Sequence, residues 1–190
     1  MILGITGGTG CGKTTLLQEI ETRGGLVLDC DAVYHELLTR DDALLNAIEE
    51  RFPGVVENGE LQRKKLGAIV FADEQALLDL NAITHGAIRA EIIRRLSENP
   101  ALAAIDAIAL FEGGLAELCD TTVAVCASEE HRVERLMARD HISREYAQNR
   151  IRAQKPEGWF HSMCDHTLDN DGTRERFAEK CRVFLDEVLK

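Results

Sequence analysis

Apolar positions along this chain fall into two rhythms. Short unbroken runs at Ile2–Thr6, 25–30, 103–111 and 121–127 have the length of strands buried on both faces of a parallel sheet. His166–Asp169 is a fifth candidate strand. Elsewhere the spacing is helical. Leu44, Leu45, Ile48 and Phe52 share one face until Pro53-Gly54, and a longer stripe through Leu77, Leu80, Ile83, Ile88, Ile92 and Leu96 stops at Asn99-Pro100. Ser128 followed by Glu129-Glu130 opens a helix predicted to reach Arg139-Asp140, and Ser143 opens another that continues through Gln154. Phe177, Cys181, Phe184, Leu185 and Val188 mark the closing helix.

Strands alternating with helices predict an α/β fold of three layers, with a five-stranded parallel sheet and right-handed crossovers. Residues 32–99 break the alternation. They read as almost wholly helical around a turn at Asn58-Gly59, which is too much helix for one crossover. This stretch is predicted to be an inserted helical subdomain.

Composition narrows the class. At 190 residues, 45% hydrophobic and 29% charged, the chain suits one globular α/β core with a small insertion. A net charge of −11 argues against nucleic acid and anionic membranes as partners. Against that background, seven of the 22 basic residues fall between Arg132 and Lys155, a segment expected to meet negative charge. No window approaches the about 18 apolar residues of a membrane span, and the chain enters a glycine-rich loop almost at once, so a cytoplasmic protein without a signal peptide is expected. The six cysteines form no C-x-x-C pair and read as reduced thiols. Cys11 stands apart, since loop dipoles around it favour a lowered pKa, but any residue is tolerated there and an inert filler is the preferred reading.

That loop carries the chemistry. Gly7-Gly8-Thr9-Gly10-Cys11-Gly12-Lys13-Thr14 fits G-x-x-x-x-G-K-[ST] at every fixed position, after a predicted strand and before a helix. The amides along Gly10, Cys11, Gly12, Lys13, Thr14 and Thr15, with the positive helix end, are expected to cradle the phosphates of ATP. Lys13 is expected to reach the β- and γ-phosphates and Thr14 to hold Mg²⁺. No [NT]-K-x-D motif for guanine is present, and 103–111 reads as a strand ending in Leu110-Phe111-Glu112 with no Walker B aspartate. A helical insert and an arginine-rich segment after the core fit a small kinase better than a switch or a motor.

The ordered motifs resemble the dephospho-coenzyme A kinase family over nearly the whole chain. After the phosphate loop come Asp29-Cys30-Asp31, then Gly59-Glu60-Leu61-Gln62-Arg63 with Val70-Phe71, Leu80-Asn81 with His85-Gly86, and Leu110-Phe111-Glu112. Arg135-Leu136, Arg139-Asp140, Arg150-Ile151 and Gln154 resemble the family's lid, and Asp169-Asn170-Asp171-Gly172 its closing D-N-x-G. Gln62 and Gly86 depart from the family pattern, where Asp and Pro are usual. The resemblance implies a nucleoside-monophosphate-kinase-like layout: a core of 1–31, 100–138 and 164–190, an acceptor subdomain at 32–99 and a lid at 139–163.

It also implies transfer of the ATP γ-phosphate to the ribose 3′-hydroxyl of dephospho-CoA. Lys13, Asp31 and Arg139 are the expected catalytic residues. Asp31 is read as the base or an outer-sphere Mg²⁺ ligand, against the alternative of a helix N-cap. Asp29 is read as equally suited to structural, buried polarity. Asp31, His85, Arg89 and Glu112 are expected on the acceptor side, Arg139 and Arg150 in the lid, and Asn170 and Gly172 at the nucleotide. Trp159 reads as core filling. A monomer or weak homo-oligomer is expected. The competing readings are a P-loop switch, a divergent kinase with another acceptor, and a CoA- or nucleotide-binding regulator without turnover.

Overall fold

The computed structural model describes residues 1–190 and divides into two compact units, Met1–Leu28 with Pro100–Lys190, and Asp29–Asn99. The first unit is built on strands β1 (Ile2–Thr6), β2 (Leu26–Asp29), β5 (Ala103–Asp106), β6 (Thr121–Cys126) and β7 (His166–Asp169). They form one parallel sheet in the order β2-β5-β1-β6-β7. β1 is central, with Leu3 opposite Ala104 on one side and Thr121 on the other. Both edges of β1 are therefore paired, and its Leu3 and Ile5 are fully buried on one face of the sheet.

Helices α1 (Lys13–Thr22) and α9 (Arg174–Val188) cover one face, joining Leu16, Ile20, Phe177, Cys181 and Leu185 to Val123 and Val125 of β6. Alternate residues of β6 point the other way: Ala124 and Cys126 pack on Phe160 of α8 (Glu157–Met163). Helices α6 (Glu129–Asp140) and α7 (Arg144–Arg152) pack together through Val133, Leu136, Ala147 and Ile151. From β1 the chain crosses to the edge strand β2, returns through β5 beside β1 and then leaves on the other side through β6 and β7, so the turn after β1 opens at the topological switch point of the sheet.

The second unit holds α2 (Cys30–Arg40), α3 (Asp42–Arg51), α4 (Arg63–Val70) and α5 (Glu74–Leu96), closed around Leu44, Leu45, Ile48, Phe52, Leu66 and Val70. It is not wholly helical. Strands β3 (Val56–Glu57) and β4 (Glu60–Leu61) pair antiparallel around Asn58-Gly59. Both turn residues have positive φ, 53° and 78°, the backbone that an Asn-Gly hairpin turn supplies most cheaply.

One other expectation is corrected, and one helix was not anticipated. The strand expected over 103–111 ends at Asp106, and the chain then turns, with Gly113 N–H donating to Ala109 O. The reason is its neighbour. Ala107 N–H makes the last bond to Ile5 O, and β1 beyond Thr6 becomes the glycine loop, leaving no ladder to extend. Helix α8 was not legible, because its seven residues are too few for a periodic stripe and only Phe160 is buried.

Candidate functional site

The loop from Gly7 to Gly12 leaves the end of β1 and delivers Lys13 as the first residue of α1. Gly12 is the N-cap at φ 94° and offers no side-chain cap, so the first amides of α1 remain open to an anion. A Cβ at Gly12 would lie 2.3 Å from Asn170 Nδ2, so the position demands glycine on two counts. Lys13 Nζ donates to Gly7 O at 3.1 Å and stands 3.8 Å from Asp106 Oδ1. Thr14 is exposed and Thr15 half-buried on the same first turn.

The loop is held from behind by four side chains. Arg132 Nε donates to Thr9 O at 2.9 Å, and Gln154 Oε1 accepts from Thr9 N–H at 2.8 Å and from Arg132 Nη2 at 3.1 Å. Arg135 reaches Gly10 O and Cys11 O at 3.3 Å each and Asn170 O at 2.8 Å. Asn170 Nδ2 donates to Cys11 O at 2.8 Å. The carbonyls of Thr9, Gly10 and Cys11 therefore point at guanidinium and amide donors, while Thr9 N–H and Cys11 N–H are taken by Gln154 Oε1 and Gly8 O.

Cys11 is part of this scaffold. Its thiol is buried and donates to Gly8 O. Burial pushes its pKa up in spite of Lys13 and Arg132 nearby. Loop dipoles do not lower it, because desolvation of a buried thiolate outweighs them, in keeping with the inert reading.

Other predicted site residues fall elsewhere. Arg139 is 61% exposed and grips Asp140 through Nε and Nη2 at 2.7 and 3.0 Å, while Arg150 holds the same carboxylate at 2.6 Å. The two arginines keep the Asp140 carboxyl well below the usual carboxylate range. Glu112 is not at a strand end. It lies beyond the turn after β5, exposed, 4.0 Å from Lys155. Gly172 lines a cavity of about 200 Å³ with Asp169, Asp171, Arg176, Phe177 and Lys180.

In the second unit Asp31 lies exposed in the first turn of α2. The N-cap is Asp29, whose Oδ1 accepts from Asp31 N–H at 2.9 Å and Ala32 N–H at 3.2 Å. Asp29 is exposed, so the reading of it as buried polarity is corrected, and the capping alternative for Asp31 falls to its neighbour. His85 and Arg89 sit one turn apart on α5, both half-buried. Trp159 packs edge-on against Phe111 and Phe160, with ring centroids 5.6 and 5.1 Å apart.

Sequence reasoning missed Asp106, Arg132 and the tie from Gln154 to the loop. Asp106 closes an apolar strand as a Walker B acid does, but the apolar residues beyond it hid the boundary. Arg132 is a buried basic residue on an apolar helix face, a signal available only once α6 is placed.

Strand, glycine loop and helix, with a lysine answered by an acid at the end of the adjacent strand, define a P-loop kinase-type nucleotide site. The family model for dephospho-CoA kinase matches residues 1–176. The chain belongs to the dephospho-CoA kinase family. The dephospho-CoA kinases of Enterococcus faecalis and Bacillus licheniformis are 36% and 33% identical to it, covering 99% and 98% of this chain and 97% and 96% of theirs. Among solved structures, TT1252 from Thermus thermophilus superposes at TM-score 0.82 with 33% identity, over 99% of this chain and 97% of its own. Dephospho-CoA kinase from Campylobacter jejuni does so at 0.69 with 25% identity, over 98% and 96%. Shikimate kinase from Bacteroides thetaiotaomicron, at TM-score 0.57 and 14% identity over 99% and 98%, shares the fold alone.

Proposed function

We propose that this chain transfers the γ-phosphate of ATP to the ribose 3′-hydroxyl of dephospho-CoA, giving coenzyme A. The observation that carries this is Lys13, held by Gly7 O and set beside Asp106 at the mouth of the loop, in a chain of this family. The amides of Gly10, Gly12, Lys13 and Thr14 bind the β- and γ-phosphates, and Lys13 follows the charge as it shifts toward the β,γ-bridge. Asn170 and Gly172 border the nucleoside. Residues 32–99 bind the acceptor, where Asp31 takes the hydroxyl proton and His85 and Arg89 grip its anionic groups, with Glu112 contributing from the core. Segment 139–163 acts as the lid, with Arg139 and Arg150 closing on the transferring phosphoryl group.

The donor set fits a magnesium ion. Thr14 offers an exposed hydroxyl and Asp106 a carboxylate, the hard oxygen ligands that Mg²⁺ takes. When bound, the ion neutralises charge on the phosphates. No helix is long and apolar enough to cross a membrane, and we place the activity in the cytoplasm.

Incubation with Mg·ATP and dephospho-CoA, followed by chromatography of the products, tests the reading. A 3′-phosphorylated product is expected. ATP binding without product from dephospho-CoA would transfer the assignment to another acceptor or to a regulator without turnover.

A further inference from the structure

A second constellation lies where α8, at the end of the lid segment, packs on β6, and its three side chains have no assigned part in phosphoryl transfer. Cys126 ends β6, and Glu157 and His161 occupy one face of α8 at the i, i+4 spacing. The Cys126 Sγ, a Glu157 carboxylate oxygen and a His161 ring nitrogen all lie within 4.8 Å of one another. His161 Nε2 and Glu157 Oε1 are 3.4 Å apart.

We propose that Cys126, Glu157 and His161 form a binding site for a thiophilic divalent cation of the zinc class. Thiolate, imidazole and carboxylate are the three ligand types such an ion accepts, and three protein ligands leave its fourth position to water. Tetrahedral coordination at ordinary bond lengths sets ligand atoms roughly 3.3–3.8 Å apart. The donors need to close by at most about 1.5 Å from 4.8 Å, a movement that rotation of the exposed Glu157 and His161 side chains supplies. The sulfur is the fixed member, since Cys126 is buried against Ala124 and Phe160.

Binding breaks the S–H bond of Cys126, forms the S–metal bond and sends the proton to solvent. No oxidation accompanies it.

The site has a place in the architecture. The main-chain carbonyl of Cys126 accepts from Asn170 N–H at 2.8 Å, and Asn170 holds Cys11 of the phosphate loop. Gln154, just before α8, holds Thr9. An ion bridging Cys126 to α8 would thus pin two supports of the loop to each other.

Titration of the full chain with Co²⁺ and with Zn²⁺, against a chromophoric chelator, tests this. One equivalent is expected, with a thiolate-to-cobalt charge-transfer band and a Tm raised by Zn²⁺. His161→Ala and Glu157→Gln change exposed side chains and leave the buried contact of Cys126 with Phe160 in place, so the fold is kept. Each is expected to weaken zinc affinity at least about tenfold and to lose the Tm rise. Absence of binding, absence of the thiolate band, or unchanged affinity in both variants would overturn the proposal, the last because the ion would then sit on other thiols.

Discussion

Asn170 donates its side-chain amide to the main-chain carbonyl of Cys11 at 2.8 Å, across 159 residues of sequence. Both groups are buried, and the Asn170 carbonyl in turn accepts Arg135. A residue marked by sequence as nucleotide-binding is thereby a strut of the phosphate loop.

Asn170→Ala should therefore act on stability as well as on binding. It leaves a buried carbonyl without this donor, a loss of about 1–3 kcal/mol. Urea melts should show that fall, together with a weakened ATP Kd. A variant with unchanged stability would show that the loop is held by Arg135 alone.

Lys13→Ala should remove at least about a hundredfold of turnover, since charge stabilisation of that kind contributes several kcal/mol in the transition state. The side chain packs against no apolar cluster, so circular dichroism should be unchanged. Near-normal turnover with an unchanged melting curve would sink the nucleotide assignment.

Asp29 and Asp31 give a paired test. Asp29→Ala removes the cap of α2 and should cost about 1 kcal/mol in a denaturant melt. Asp31→Asn keeps that cap and should leave stability alone while cutting turnover strongly, because an amide accepts no proton. If Asp31→Asn instead weakened ATP binding and kept ordinary turnover, Asp31 would serve the metal and not the hydroxyl.

Arg139→Ala separates a lid arginine from a surface ion pair. The pair with Asp140 is exposed, so stability should change by less than about 1 kcal/mol. Turnover should fall at least about a hundredfold, with ATP affinity changed by less than about tenfold. A loss below about fivefold would hand the role to Arg150, which shares the same carboxylate.

Glu91 predicts part of the acid limb of stability. Hydrogen bonds from Arg94 and Arg95 lower its pKa from 4.5 to about 2. The folded state then binds the proton less readily than the unfolded one. Its contribution is present above pH 4.5 and is lost as pH falls toward about 2. Glu91→Gln should flatten Tm against pH across that window, and an unaltered slope would show that the pair contributes nothing.

Most of the sheet was legible because strands buried on both faces must be apolar throughout, as Ile2–Thr6 and Thr121–Cys126 are. The phosphate loop was legible because its function constrains consecutive residues. Glu112 misled because composition alone does not say where a strand stops. Asp106 ends β5 where β1 runs out of backbone to pair with, a fact about the neighbour and not about the segment.

The sequence by itself determined the elements, the phosphate loop and the family, since each is written in local spacing or in motif order. Tertiary structure decided which side chains support the loop. Arg132, Arg135 and Asn170 donate to its carbonyls and Gln154 accepts from its Thr9 N–H, reaching it from α6, the end of α7 and the end of β7. Their hydrogen bonds span more than a hundred residues wherever they meet the loop, and no local period encodes a partner at that distance. The same holds for Cys126 with Glu157 and His161, which only the packing of α8 on β6 brings together. Local rules fix what a segment becomes; burial and hydrogen-bond satisfaction fix what it meets.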